Sequence, residues 1–190
     1  EETAIPGLED TDMSVYDLCD AVSEDVTVIF SDDILYGIDN SGTIAFTIDV
    51  GEQFGVSGLS SVDFCFDEGK FAVSFTDYDY YYLVVADSKT GEVLASLWNT
   101  GDYEVKLALE GDFLYFSTFR MTATAGDADS KLYAINYTTG QTMWIANIGE
   151  SYIHGIVPNG DYIYAYDNET VYVFFKKYGT TLNYYMSNNN

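Results

Sequence analysis

Apolar and polar residues alternate along much of this chain with the period of two that is typical of β-strands. The clearest example is at 162–166, where Tyr162, Tyr164 and Tyr166 share one face of a predicted strand and Ile163 and Ala165 share the other. Both faces are aromatic or apolar, as expected for a strand in a sheet that packs between two other layers. Turns containing Gly or Asp separate such runs, and the pattern predicts almost no helix.

A strand–turn–strand unit recurs four times along the chain. Its clearest copy spans 131–144, with a first strand, a turn closed by Gly140 and a second strand that contains Trp144. The equivalent turn glycines are Gly42, Gly91, Gly140 and Gly179, at spacings of 49, 49 and 39 residues. Each unit has room for four short strands, and a repeat on this scale predicts the blades of a β-propeller.

The predicted organisation is an acidic N-terminal leader at 1–13 followed by four blades at about 14–50, 59–99, 104–148 and 152–188. The predicted strands are 14–19, 26–30, 34–39 and 43–50, then 59–66, 70–76, 81–87 and 92–98, then 104–109, 112–118, 131–137 and 142–148, and finally 153–157, 162–166, 170–175 and 181–186. Between the first two units, the alignment matches 26–32 with 71–77. The predicted fold class is therefore all-β, with four four-stranded antiparallel blades.

The best unit resembles the repeat of the PQQ-like (quinoprotein dehydrogenase-like) β-propellers, in which a Tyr-Ala-hydrophobic-Asp segment precedes Thr-Gly and a Trp four residues later. The residues that match are Tyr133, Ala134, Thr139, Gly140 and Trp144, with Asn136 in place of the usual Asp. The first unit has Phe46 and the second has Ala95 at the position of the Trp. The resemblance covers most of 14–187 and implies that this Trp docks one blade on the next.

The resemblance implies a fold more than a reaction. The enzymes of this family hold their quinone with a stacking Trp, a disulfide between adjacent cysteines and a calcium ion, and this chain has no adjacent pair of cysteines. Enzymatic activity is therefore uncertain, and we expect none and no quinone cofactor. Because those enzymes have about eight blades, four blades could be part of a larger propeller, an unusual closed ring, or an arc that associates with others.

The chain is strongly acidic, with 31 Asp and Glu, seven Lys and Arg and a formal charge of −24. Its first 69 residues hold 17 of the acids and none of the bases. Like charge disfavours nucleic acid and anionic membranes as partners, whereas cations, basic proteins and high salt are compatible. The longest apolar runs are too short to span a membrane as a helix. The chain begins with Glu1, which indicates a removed signal peptide or an excised piece.

The two cysteines are Cys19 and Cys65, and their predicted places are the first strands of adjacent blades. Such strands lie side by side without ladder pairing, often too far apart for a disulfide. A secreted setting would favour the bond. We expect two buried free thiols.

Few residues suggest a specific site. Asp127 and Asp129, in an insertion between two strands, resemble half of a calcium-binding loop, so Ca²⁺ is a possible ligand. Asn136 and Asn168 begin N-glycosylation sequons at predicted turns. The only histidine, His154, has no carboxylate or cysteine placed beside it by spacing, which favours a structural role.

A group of tyrosines near two carboxylates allows two interpretations. The group comprises Tyr78, Tyr80, Tyr81 and Tyr82, beside Asp77 and Asp79. Exposed tyrosines next to acids are common in protein and carbohydrate contact surfaces. Packing between blades is the alternative, and we favour it.

The function that these observations favour is a non-catalytic, extracytoplasmic propeller that acts as a protein-interaction or scaffold module. Its partner would be another protein or a second copy of itself. Two alternatives remain: part of a PQQ-dependent quinoprotein dehydrogenase, and a structural subunit of a surface layer or filament.

Overall fold

The computed structural model describes residues 21–22, 25–77, 79–100, 104–120 and 129–186. These residues form four antiparallel sheets of four strands each, and each sheet is ordered as its strands occur in the sequence. The fold is all-β with four blades, which confirms the predicted fold class. The leader at 1–13 and the predicted strand at 14–19 lie outside the described residues.

The strands of the first two blades are β1 (Ala21–Val22), β2 (Val26–Ser31), β3 (Ile34–Asp39), β4 (Ile44–Asp49), β5 (Ser60–Asp67), β6 (Lys70–Thr76), β7 (Tyr80–Asp87) and β8 (Val93–Thr100). Those of the last two blades are β9 (Glu104–Glu110), β10 (Phe113–Arg120), β11 (Asp129–Asn136), β12 (Gln141–Gly149), β13 (Gly155–Asn159), β14 (Tyr162–Tyr166), β15 (Thr170–Phe175) and β16 (Thr181–Met186).

One short helix, α1 (Val50–Phe54), lies between the first and second blades, where the sequence pattern had predicted the end of a strand at residue 50. Asp49 is its N-cap, and the Asp49 carboxylate accepts a hydrogen bond from the Glu52 amide at 2.7 Å. The helix ends at Gly55 in the left-handed conformation. A side chain that satisfies the first free amides is the usual start of a helix, so the cap explains the switch from strand to helix.

The hydrophobic core lies between the blades rather than inside any one of them. Phe30 and Leu35 of the first blade pack in one cluster with Phe71 and Phe75 of the second. A second cluster joins blades two and three, and a third joins blades three and four. Each blade is therefore stabilised mainly by its neighbours, as expected when single sheets stack face to face.

Aromatic rings on the fourth strands lie over glycines of the following blade. A Cβ atom added to Gly179 would lie 2.4 Å from the ring of Trp144, and one added to Gly91 would lie 2.4 Å from the ring of Phe46. Trp144 is buried and donates from its indole nitrogen to the Lys176 carbonyl at 2.6 Å. This contact confirms the expectation that Trp144 docks the third blade on the fourth.

Carboxylates of the innermost strand of blade two bind the backbone of blade three. Asp63 accepts from the Leu107 amide and Asp67 accepts from the Gly111 amide, each at 2.7 Å. Both pairs are 44 residues apart, so β5 and β9 run in the same direction. Burial raises the pKa of the Asp63 carboxyl, although the Leu107 amide and Lys106 favour its ionised form.

Cys65 lies on β5 as a free thiol. Burial, and secondarily the charge of Asp63, raises the thiol pKa and makes this cysteine unreactive. Cys19 lies outside the described residues, so its thiol state stays a prediction.

Candidate functional site

The described surface contains an aromatic groove between the first two blades, lined by Phe54, Val56, Tyr80, Tyr82 and Trp98. Its volume is about 220 Å³. The Trp98 side chain lies directly across the sheet from Tyr82, and the residue is 62% exposed. A tryptophan with this much exposure is unusual on a folded domain and marks a surface that can bind another molecule.

The groove is built from ring contacts. The Phe54 and Tyr82 rings have centroids 4.9 Å apart. The Tyr80 and Trp98 rings meet edge to face at 5.7 Å. Since Phe54 belongs to α1 and the other three residues to β7 and β8, the groove combines the blade connection with the outer strands of blade two.

Asp33 holds the connection that forms one wall of the groove. Its carboxylate accepts from the amides of Gly58 and Leu59 at 2.7 Å each. Its carbonyl accepts from the amides of Val50 and Gly51 at 2.9 and 3.2 Å. Four hydrogen bonds from one residue fix both ends of the 50–59 segment, so this wall is ordered before any partner arrives.

The opposite wall is held by the turn between β6 and β7. The Tyr82 hydroxyl donates to the Asp77 carboxylate at 2.7 Å, and the other oxygen of that carboxylate accepts from the amides of Asp79 and Tyr80. Partial burial raises the pKa of Asp77, but these hydrogen bonds outweigh it and the net pKa is lowered. The Tyr82 pKa is raised, first by burial and then by Asp77. The carboxylate is therefore ionised and fully used in holding the groove.

Both interpretations of the tyrosine group apply, each to different members. Tyr81 is buried between blades two and three, and Tyr82 is buried toward blade one. Tyr80 lines the groove, and Tyr78 lies outside the described residues. Sequence analysis did not single out Trp98, although its alternation with Ala95 and Leu97, which pack toward blade three, places it on the opposite face of β8.

A second, more polar cavity of about 510 Å³ lies at the start of the fourth blade. Its lining includes His154, Tyr152, Asp167 and Tyr172. The His154 ring stands edge-on to Tyr152 at 4.9 Å, and its backbone amide donates to the Tyr166 carbonyl. His154 is exposed and directly precedes β13, so it borders this cavity.

Asp167 repeats the geometry of Asp77 in the fourth blade. One carboxylate oxygen accepts from the amides of Glu169 and Thr170, and the other accepts from the Tyr172 hydroxyl at 3.2 Å. Burial acts to raise the pKa of Asp167, but the hydrogen bonds dominate and lower it. As with Asp77, this carboxylate is committed to its own turn.

The predicted calcium and glycosylation residues are spread over the molecule. Asp127 lies outside the described residues, and Asp129 opens β11 in an ion pair with Lys131 at 2.8 Å. No cluster of three or more metal-binding side chains occurs within the described residues. Asn168 is exposed at the polar cavity, whereas the Asn136 side-chain oxygen accepts from Thr138 and Thr139 in its turn. Calcium binding and glycosylation stay predictions.

No family model matches this sequence, and no curated protein matches it. Its fold, however, is found in solved structures. A europium-containing methanol dehydrogenase has a TM-score of 0.61 at 10% identity over 88% of this chain and 41% of that one. The quinohemoprotein alcohol dehydrogenase ADHIIG from Pseudomonas putida HK5 has 0.61 at 14% identity over 88% of this chain and 34% of that one. This chain therefore spans less than half of either dehydrogenase.

The computationally designed Ika4 protein has a TM-score of 0.63 at 17% identity over 92% of this chain and 99% of that one. At such low identity these likenesses describe the fold alone. They agree with the PQQ-like propeller fold expected from the repeat. Among the described residues, no helix has the length and apolarity needed to cross a bilayer.

Proposed function

We propose that this chain is a non-catalytic interaction module that binds a protein partner in the aromatic groove. The observation that carries the proposal is the exposed Trp98 above a preformed apolar groove. Tryptophan and tyrosine are the residues that most often dominate the energy of protein interfaces, because they bury a large rigid surface at little cost in entropy.

The chemistry around the groove defines the partner. Glu52 and Asp79 are exposed on the two segments that form its walls, and the whole chain carries a charge of −24. A suitable partner segment presents one large apolar anchor flanked by Lys or Arg, since opposite charge speeds encounter and fixes orientation. The proposal retains the extracytoplasmic location expected from the sequence.

A peptide library displayed on phage tests this proposal. We expect selection on the protein to enrich peptides with an apolar anchor and basic flanks. Their affinity should fall at least about 10-fold for Trp98→Ala, since truncating an interface anchor costs more than about 1.4 kcal/mol. Leu94→Ala, an exposed residue on the same strand, is the matched control and should bind normally. Enriched peptides that bind equally to Trp98→Ala, or no enrichment, would refute the proposal.

A separate assay addresses the dehydrogenase alternative. Protein incubated with PQQ and Ca²⁺ should show no dye-linked oxidation of alcohols. Sustained oxidation that depends on both additions would replace the interaction module with an enzyme.

A further inference from the structure

One face of the fourth blade is apolar and exposed. Val157, Tyr164 and Val173 are neighbours across its strands, as are Tyr166 and Val171. Val157 is 49% and Tyr166 41% exposed. We call this surface the terminal face and define it by these five residues. The opposite face, with Ile163 and Phe174, packs against the third blade.

The same face is covered in the two preceding blades. The hairpin pairings Asp67 with Lys70 and Asn159 with Tyr162 occupy equivalent places, so Tyr166 corresponds to Ser74 of the second blade. By the same register it corresponds to Ser117 of the third. Ser74 and Ser117 are both buried, whereas Tyr166 is exposed. The terminal face thus has the geometry of a blade-to-blade interface, with large aromatic side chains added.

We propose that a second copy of this chain covers the terminal face, through a two-fold axis that pairs the two terminal faces with each other. The far face of the first blade offers no equivalent exposed surface for a head-to-tail contact. Its Ile29 and Ile38 point away from the second blade and are 7% and 6% exposed. A patch that each molecule exposes once is satisfied by a closed two-fold pair.

Charge supports this pairing. Two molecules of charge −24 repel each other over most of their surfaces. The five residues of the terminal face are uncharged, and 155–186 contains three acids and two lysines. By contrast, 21–49 contains six acids and no base. The terminal face is therefore where two copies meet with little repulsion, and salt should strengthen the contact by screening the rest.

Sedimentation velocity on the 190-residue protein tests the inference. We expect a dimer whose dissociation constant falls when NaCl is raised from about 50 mM to about 0.5 M. Val157→Lys and Val171→Lys should each weaken the dimer at least about 10-fold, because each places a charge in an apolar contact. Ile145→Lys, on the outer strand of the third blade and 56% exposed, adds the same charge elsewhere and should leave the dimer intact.

Far-UV circular dichroism and the melting temperature establish that each variant is folded. A wild-type monomer at all concentrations would overturn the inference and assign the terminal face to another occupant. Open-ended polymers would overturn the two-fold axis in favour of a head-to-tail contact. A dimer that ignores both valine substitutions would place the contact elsewhere. None of these outcomes affects the peptide site, because Trp98 is not part of the terminal face.

Discussion

Trp144 shows how one side chain joins two blades. Its ring lies over Gly179, which has a φ of 64°, and stacks on Phe174 with centroids 6.2 Å apart. A side chain at residue 179 would collide with the ring, and a left-handed φ is also unfavourable for any residue with a Cβ. The pair Trp144 and Gly179 therefore acts as one unit, with the glycine providing the space that the ring fills.

Trp144→Ala should lower the free energy of unfolding by about 3–5 kcal/mol, because it leaves a large cavity between blades. Trp144→Phe should cost less, since the ring remains and mainly the hydrogen bond to the Lys176 carbonyl is lost. Urea denaturation monitored by circular dichroism measures both. Ile145→Ala, at an exposed neighbouring position, is the control. Equal stability of Trp144→Ala and the control would contradict the docking role.

The repeated Asp at the end of each third strand orders the following turn. The Asp39 carboxylate accepts from the amides of Ser41 and Thr43, and the Asp87 carboxylate accepts from those of Lys89 and Thr90. Hydrogen bonds from the Ser41 hydroxyl and the Thr90 amide are the largest causes that lower the two pKa values. Asn136 makes the same kind of turn without a charge.

A pH prediction follows from these turns. Because the folded pKa values lie below the ordinary 3.8, the stabilisation is complete above that pH and is lost as the pH falls through the lowered values. Asn at both positions keeps an acceptor but cannot titrate. The double variant Asp39→Asn, Asp87→Asn should therefore lose less stability than wild type on acidification. Urea midpoints between about pH 7 and pH 2.5 measure this, and parallel curves would disprove it.

At the scale of whole elements, the contact between blades two and three lacks the ring found at the other two contacts. Ala95 occupies the position of Phe46 and Trp144. A Cβ atom added to Gly140 would meet nothing within 4 Å, whereas the corresponding glycines of the second and fourth blades are covered by rings. This contact is the one where added apolar volume can be accommodated.

Ala95→Trp should raise the free energy of unfolding by about 0.5–2 kcal/mol, the usual range for filling unused space. The melting temperature should rise accordingly. Ser96→Trp, at an exposed position on the same strand, controls for adding a large residue to β8 and should not stabilise. A lower melting temperature for Ala95→Trp would show that the site is too narrow for the ring.

The carboxylate contacts between β5 and β9 give a further test at this scale. Asp67→Ala should cost about 1–3 kcal/mol, because it removes the acceptor of the Gly111 amide. Asp67→Asn keeps an acceptor and should cost less. Asp161→Ala alters an exposed turn in the fourth blade and should be close to neutral. Chemical denaturation distinguishes the three, and a neutral Asp67→Ala would mean that water replaces the carboxylate.

The repeat made the blades predictable because the same glycines, aromatic residues and turn carboxylates recur at fixed spacing. Four predicted strands, including 162–166 and 170–175, have the observed bounds. The finer alignment failed in one place: it matched Val26 with Phe71. In the structure Val26 pairs with Asp39 and Lys70 with Asp87, so Val26 corresponds to Lys70. A slip of one residue exchanges the two faces of a strand.

The candidate site was less predictable because it depends on contacts between separate elements. The α1 helix followed from the Asp49 cap, a signal that the strand pattern outweighed. The groove needs Phe54 of that helix against Tyr82 of β7, and no spacing in the sequence brings these two together. The exposure of Trp98 likewise depends on which face of β8 the neighbouring blade covers.

At the scale of the whole molecule, the distribution of charge sets how the protein responds to ions. The 17 acids of the first 69 residues have no base among them. Only Lys106 and Lys176 form half-buried ion pairs with acids across blades, with Asp63 and Glu110. These two pairs are the only such contacts among the described residues, so most of the negative charge faces solvent and repels itself.

The melting temperature should therefore rise from low to moderate NaCl as screening weakens this repulsion. Millimolar Ca²⁺ should raise it further if the loop with Asp127 and Asp129 binds the ion. The two effects are separable, because screening follows ionic strength whereas a specific site saturates and persists in about 0.5 M NaCl. Asp127→Ala should abolish the saturable part and leave the NaCl response unchanged. A melting temperature that ignores both salts would mean that the acids are far enough apart to be solvated individually, and cations would then have no part in the stability of this propeller.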